Sequence, residues 1–232
     1  FVVLCYDRNT GELLWQQVAA EMVPHEGTHQ DHGYASASPV TDGEHLWASF
    51  GSRGIYCYDM DGNKIWERDL GDMSIMRFFG EGASPVLHGE TLIVNWDHEG
   101  DSFLYALDAK TGETKWQVAR ESDHTTWATP LVVEHDGRTQ VIVNGNSESK
   151  ARSYDLESGE VIWECGGQTL ACIASPIAYE DLVFCMSGYP KSALFAIPLS
   201  ASGDITETDA IRWSTTEAAP YCPTACLYDG RL

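Results

Sequence analysis

The sequence predicts an all-β fold, a β-propeller built from four-stranded antiparallel blades. Tryptophans recur along the chain at intervals of 51, 50, 47 and 50 residues. A short marker, Ala-Ser-Pro or Ala-Thr-Pro, stands upstream in each unit, at 37–39, 83–85, 128–130 and 174–176. Between the markers, short apolar runs alternate with turn residues, and no helical period of useful length is present. One small sheet cannot bury both of its faces, whereas sheets stacked radially can, and a repeat of about 50 residues is long for a β-solenoid coil.

The blade boundaries follow from the two markers. Residues 1–20 supply the last two strands of one blade, and residues 221–232 begin another, with ACLYDG standing where SPVLHG stands in an earlier blade. Four whole blades are predicted at approximately 33–71, 80–120, 125–166 and 171–216. We therefore interpret 1–232 as a single propeller segment. Because it opens within a strand pattern, we expect a partial ring from a longer protein, with exposed strand edges at its ends.

Each tryptophan closes a similar phrase, such as ALDAKTGETKW at 106–116. The aspartate of the phrase can accept backbone N–H bonds across the turn, and the glycine supplies positive φ. The tryptophan buries a large flat surface and needs one acceptor for its indole N–H, which suits a seam between blades. The residues assigned this structural role are Trp15, Trp66, Trp116, Trp163, Trp213, Asp7, Asp59, Asp108, Asp155, Gly11, Gly62, Gly112 and Gly159.

Charge and cysteine content exclude several classes of function. The chain carries 14 Lys and Arg against 35 Asp and Glu, a net charge of −21, which repels nucleic-acid backbones. No stretch approaches the roughly 20 apolar residues of a membrane helix. The seven cysteines include no CxxC pair and no two adjacent cysteines, so neither a zinc ribbon nor a complete disulfide framework is predicted.

The phrase in ALDAKTGETKW resembles the tryptophan-docking motif of pyrroloquinoline-quinone (PQQ) repeat propellers, and with the Ala-Ser-Pro marker the resemblance covers nearly the whole chain. Such propellers usually close with seven or eight blades. The resemblance implies a periplasmic or secreted bacterial protein. The family includes quinoprotein alcohol dehydrogenases, which use PQQ and calcium, and non-catalytic relatives such as the lipoprotein propeller of the outer-membrane barrel assembly machine. The dehydrogenases have adjacent cysteines beside the quinone, and this segment has none.

Two groups of residues are candidate metal ligands. Asn95, Asp97 and Glu99 offer three oxygen donors of the kind calcium prefers. HEGTH at 25–29 matches the HExxH pattern of zinc peptidases, but its prolines and glycines indicate a connection between strands rather than the helix that this chemistry needs. An incidental metal site or solvated loop residues are the remaining interpretations of this stretch; its possible ligands are His25, His29, Asp31 and His32.

Propellers carry function on the loops at one end of the channel, here the connections before each marker and after each second strand. Polar and aromatic residues in these loops are the candidate ligand contacts: Arg77, Trp96, His98, His124, Trp127, Asn144, Asn146 and Tyr189. We expect a non-catalytic scaffold that binds a protein or small polar ligand and needs no cofactor. A fragment of a PQQ- and calcium-dependent dehydrogenase is the alternative, and a polysaccharide-binding module a weaker third.

Overall fold

The computed structural model describes residues 1–120, 124–145, 149–217 and 219–232. The first sheet has two strands, β1 (Val2–Tyr6) and β2 (Leu13–Val18). A four-stranded sheet follows, with a 3₁₀ turn between its second and third strands at Gly51–Arg53. Its strands are β3 (Val40–Thr41), β4 (His45–Ser49), β5 (Ile55–Asp59) and β6 (Lys64–Arg68).

Three more sheets complete the described chain, and a second 3₁₀ turn at Met76–Phe78 precedes them. The third sheet is β7 (Val86–His88), β8 (Thr91–Trp96), β9 (Phe103–Asp108) and β10 (Thr114–Ala119). The fourth begins with β11 (Leu131–His135), β12 (Arg138–Val143), β13 (Ala151–Asp155) and β14 (Val161–Cys165). The fifth contains β15 (Ile177–Tyr179), β16 (Leu182–Ser187) and β17 (Ala193–Pro198); β18 (Gly203–Asp204) returns to the fourth sheet, and β19 (Trp213–Thr215) completes the fifth.

Apart from β18, neighbouring strands within each sheet pair antiparallel, which confirms the predicted fold of antiparallel blades. The core lies between the sheets: Trp47 and Ile55 of the second sheet pack in one cluster with Leu92 and Leu107 of the third. Burying a side chain of this size stabilises a fold by about 1.5–3 kcal/mol, so each blade depends on its neighbour. Within the described ranges, no helix has the length and apolarity to cross a membrane.

The turn between the third and fourth strands follows one geometry in successive blades. The carboxylate of Asp108 accepts backbone N–H bonds from Lys110 at 3.0 Å and Thr111 at 2.9 Å. Gly112 then adopts φ +74°, a conformation that glycine reaches without a steric penalty. Asp7 and Asp155 accept bonds from the second and third following residues in the same way, whereas the shorter turn at Asp59 provides them from Asp61 and Asn63.

Each of three tryptophans donates its indole N–H to the turn of the following blade, at 2.8–2.9 Å. The pairs are Trp15 with the Met60 carbonyl, Trp66 with that of Ala109 and Trp116 with that of Leu156. The ring also lies on the turn glycine: a Cβ added to Gly112 would lie 2.8 Å from Cε3 of Trp66. Glycine is therefore required here for two reasons: its φ is positive, and the tryptophan ring leaves no space for a Cβ.

This docking contact changes at the fourth sheet, where the stretched phrase at 196–213 follows. Trp163 is fully buried, and its indole N–H has no acceptor among the described residues. The carbonyl of Leu199 instead accepts from Nε2 of Gln140 at 2.7 Å. The extra residues of the phrase form β18, which pairs parallel with β14 and makes a fifth strand. The prediction of four strands is therefore incomplete for this blade.

The Ala-Ser-Pro markers form a belt that links successive blades. The backbone N–H of one marker donates to the hydroxyl of the next, from Ser38 to Ser84, Ser84 to Thr129, Thr129 to Ser175 and Ser175 to Thr224, at 2.9–3.3 Å. Thr224 thus occupies the place of Ser84, so the predicted match of ACLYDG to SPVLHG is wrong by one residue. The turn residues agree with this correction. Asp229 lies five residues after Thr224 and Gly89 lies five residues after Ser84, and their φ values are +50° and +54°.

Candidate functional site

A cleft of about 910 Å³ opens at the end of the blades where the loops before the markers meet. Successive repeats each contribute to its lining, through residues such as Ser36, Arg77, Trp127, Ile173 and Tyr221. The connections after the second strands of the third and fifth sheets add Glu99 and Tyr189. The cleft therefore belongs to the array of blades and not to any one repeat.

Two pairs of aromatic rings line the cleft. The rings of Phe79 and Trp127 lie 6.2 Å apart at 59°, and the indole N–H of Trp127 donates to the carbonyl of Gly80 at 2.8 Å. The rings of Tyr189 and Tyr221 stack at 6.2 Å and 30°. Aromatic faces of this kind bury large areas of a bound apolar surface at a small entropic cost.

The cleft also presents one guanidinium. Arg77 is exposed, and its side chain has no hydrogen bond or ion pair within the described parts of the chain. Arg77 and its neighbour Phe78 have φ of +50° and +56°, in the left-handed region that costs a non-glycine residue about 1 kcal/mol or more. Local strain of this kind concentrates at functional sites.

A buried ion pair lies beneath the loops. Nε of Arg120 donates to Oδ1 of Asp97 at 2.7 Å, and both side chains are fully buried. Arg120 also donates to the hydroxyl of Tyr154 at 2.8 Å and to the carbonyl of Gly145 at 2.5 Å, and Thr126 donates to Asp97 at 2.6 Å. Burial opposes the charge on Arg120, but Asp97 and Tyr154 together outweigh that effect and raise the pKa of the guanidinium. The network joins the third and fourth sheets.

A half-buried carboxylate, Glu81, lies in the loop that leads to the second Ala-Ser-Pro marker. It accepts bonds from the backbone N–H of Ser52 at 2.8 Å and from the Ser52 hydroxyl at 2.5 Å. Burial raises the pKa of Glu81, against the effect of the Ser52 hydrogen bonds. These bonds tie the loop before β7 to the 3₁₀ turn of the previous blade.

The structure brings three of the predicted contact residues into the cleft: Arg77, Trp127 and Tyr189. Three others are buried, with exposed fractions of 3% for Trp96, 8% for His98 and 0% for Asn144. His98 is fixed by its neighbours, accepting from the backbone N–H of Ser74 at 3.1 Å and donating to the carbonyl of Asp101 at 3.0 Å. These three positions do not face a ligand in the cleft.

Of the two remaining predicted contacts, one lies within the described residues. His124 is half-buried and is not among the residues that line the cleft. Asn146 lies outside the described residues.

Neither predicted metal group forms an open ligand cluster. Asp97 is held by Arg120, while Glu99 accepts from the backbone N–H and hydroxyl of Thr125 at 3.0 Å. The amide nitrogen of Asn95 donates to Thr126 at 3.0 Å, and its oxygen is buried without a protein donor among the described residues.

The possible metal ligands in the histidine-rich loop, residues 25–32, also make separate contacts. Nε2 of His25 contacts the carbonyl of Met73 at 2.6 Å, and Nδ1 of His29 lies 3.7 Å from Asp31. His32 lines the cleft. Across the described ranges, no three His, Cys, Asp or Glu side chains are grouped to hold a metal ion.

Sequence reasoning missed Arg120, Phe79 and Tyr221. Arg120 stands four residues after its tryptophan, in a column that also holds Ala19, Leu70, Gly167 and Glu217. Because Glu217 in this column is charged and exposed, the repeat does not mark Arg120 as buried. Phe79 and Tyr221 had no signal either, since their ring pairs join residues of different repeats.

Comparisons with known proteins agree with the fold. A family model described as outer membrane protein assembly factor BamB matches residues 1–226. The quinohemoprotein alcohol dehydrogenase ADH-IIG of Pseudomonas putida is 31% identical over 145 residues, which are 57% of this chain and 19% of that protein.

Solved structures show the same architecture at low identity. BamB from Moraxella catarrhalis has a TM-score of 0.61 at 16% identity, over 93% of this chain and 58% of that one. The quinohemoprotein alcohol dehydrogenase from Comamonas testosteroni has a TM-score of 0.60 at 12% identity, over 87% of this chain and 39% of that one. The chain thus spans about a fifth of the curated dehydrogenase and roughly 40–60% of these two structures.

Proposed function

The chain belongs to the family described as outer membrane protein assembly factor BamB, a family of PQQ-like propeller repeats, and on that premise we propose that it is a non-catalytic scaffold, periplasmic or secreted, that binds a protein partner at the cleft. The observation that carries the proposal is the cleft itself, with two aromatic pairs and one unpaired guanidinium contributed by successive repeats. Tyrosine, tryptophan and arginine are the residues that dominate binding energy at protein interfaces.

The exposure of the aromatic residues favours a protein over a small polar ligand. Tyr189, Tyr221 and Leu170 keep 52%, 43% and 45% of their surface exposed, and Phe78 on the rim keeps 59%. A small polar ligand is usually enclosed by 70–90% or more in a closed pocket, whereas an open apolar surface suits a flat or extended partner.

A second candidate function, a quinoprotein dehydrogenase, is favoured by the 31% identity to ADH-IIG. The residues of this segment do not fit a calcium ion of the kind that such chemistry uses. Calcium takes six to eight oxygen ligands, whereas the carboxylate of Asp97 is committed to Arg120 and Thr126, and Glu99 caps Thr125. The scaffold is therefore the better-supported function for these blades.

Calorimetric titration of PQQ with calcium into the chain distinguishes the two candidates. The scaffold predicts no saturable heat at micromolar protein, with or without a chelator. Binding near one equivalent that disappears with the chelator would support the dehydrogenase and overturn the proposal. The variant Tyr189→Ala, made in the cleft, would then show whether such binding occurs at this site.

A further inference from the structure

We propose that Arg77 anchors a carboxylate of the bound partner, and that the cleft takes an extended peptide segment in which an acidic residue adjoins an apolar one. This inference rests on the proposed function, because it names the chemistry of the segment that enters the same cleft. The carboxylate pairs with the guanidinium, and the apolar side chain lies against the ring pairs.

Arg77 belongs to a minority of cations that have no acidic partner. Among the described residues, nine of the 14 Lys and Arg lie within 4.0 Å of a carboxylate, and five, including Arg8 and Arg77, do not. The chain has 35 acidic residues, so carboxylates are plentiful. Arg77 has no such partner and lines the cleft. A guanidinium left free in so acidic a protein is available for an anion that comes from outside.

The backbone at Arg77 adopts a conformation that is unfavourable for a residue with a side chain. Two successive non-glycine residues, Arg77 and Phe78, hold left-handed φ values while both side chains remain exposed. The backbone N–H of Phe78 donates to the carbonyl of Ile75 at 3.0 Å, and that of Phe79 to Met76 at 3.0 Å, which fix the turn. The turn thus fixes the backbone of Arg77 beside the cleft before binding, and a preorganised loop loses less entropy when a ligand binds.

The net charge of the chain repels such a ligand, whereas Arg77 attracts it. A net charge of −21 repels an acidic peptide at long range, but this repulsion is screened beyond about 8 Å at physiological ionic strength. Within the cleft, the Glu99 carboxylate accepts hydrogen bonds from Thr125 and keeps its negative charge, so a ligand carboxylate is favoured only in direct contact with Arg77. An acidic residue is therefore tolerated at Arg77 and disfavoured over most of the surface, which makes this contact selective.

Fluorescence anisotropy with three labelled peptides tests the inference on the full chain. The probes are Gly-Asp-Leu-Trp-Gly and versions with Asn or Lys in place of Asp. A charge-assisted hydrogen bond contributes about 1.5–3 kcal/mol, or roughly 10- to 100-fold in affinity. We expect the Asp peptide to bind at least tenfold more tightly than the other two, and Arg77→Gln to remove that preference while Arg77→Lys retains part of it.

Arg8→Gln is the matched control, because Arg8 is also exposed and unpaired but lies in the turn between β1 and β2. It should leave all three affinities unchanged. Equal binding of the Asp and Asn peptides, both lost in Tyr189→Ala, would overturn the role of Arg77 and leave the cleft as the binding site. Binding of none of the peptides would also overturn the inference. The proposed function would not be overturned by that result, because the calorimetric titration tests it separately.

Discussion

Substitution of Gly112 by alanine tests how the blades dock. The new Cβ would sit at φ +74° and 2.8 Å from the ring of Trp66, whose indole N–H is already held by Ala109. The left-handed backbone costs about 1–2 kcal/mol for a residue with a Cβ. Displacing the ring adds about 1–3 kcal/mol, the usual cost of overpacking. We expect a loss of roughly 2–5 kcal/mol in the free energy of unfolding, measured by urea denaturation.

Gly11 provides a control that separates the two contributions. Its φ is +75°, nearly the same, but a Cβ there would meet no atom within 4 Å. Gly11→Ala should therefore lose only the backbone contribution, about 1–2 kcal/mol. Equal losses in the two variants would refute the argument that the ring of Trp66 requires a glycine beneath it.

Three further predictions concern the belt, the buried ion pair and the turns. Ser84→Ala should lower the free energy of unfolding by about 1 kcal/mol because it removes an acceptor between two blades. Ser38→Ala is the control and should change the free energy of unfolding little, because the Ser38 hydroxyl accepts no such bond among the described residues. Equal effects of the two substitutions would contradict the stabilising role of the belt. Arg120→Met should cost about 3–5 kcal/mol because it removes the cation that balances the buried charge of Asp97. The double variant with Asp97→Asn should recover part of the loss in the same denaturation assay. The backbone N–H groups of Thr10 and Asn9 lower the pKa of Asp7 below its ordinary 3.8, so the stability that Asp7 contributes is present well above that pH and is lost as the pH falls through the lower folded pKa. Asp7→Asn should flatten the pH dependence of the free energy of unfolding below about pH 4, and an unchanged acid profile would contradict this role.

The repeat made the blade architecture predictable, because the tryptophan of one phrase lies on the glycine of the next. Trp66 and Gly112 belong to successive phrases, and each of these phrases carries both residue types. Strand β18 could not be predicted in the same way. The sequence shows a lengthened turn before Trp213, but the parallel pairing of Gly203 with Trp163 is a tertiary contact between two repeats.

The candidate site was predicted in part for a similar physical reason. Arg77 and Tyr189 belong to connections that the blade pattern places at one end. Trp96 and Asn144 were assigned to the same loops, but β8 extends through Trp96, and Asn144 donates to the carbonyl of Ala174 at 2.8 Å. Whether a polar residue at the end of a strand faces inward depends on the neighbouring blade, which a single repeat does not reveal.

Photo-crosslinking tests most directly whether the cleft is the binding surface. A photo-reactive amino acid is placed at Phe79 in the cleft and, in a separate variant, at Met60, which is exposed in the turn between β5 and β6. Irradiation in the native host should give one partner adduct from Phe79 and none from Met60, and Arg77→Gln should reduce the Phe79 adduct. An adduct that forms from Met60 and not from Phe79 would contradict the claim that the cleft is the binding surface.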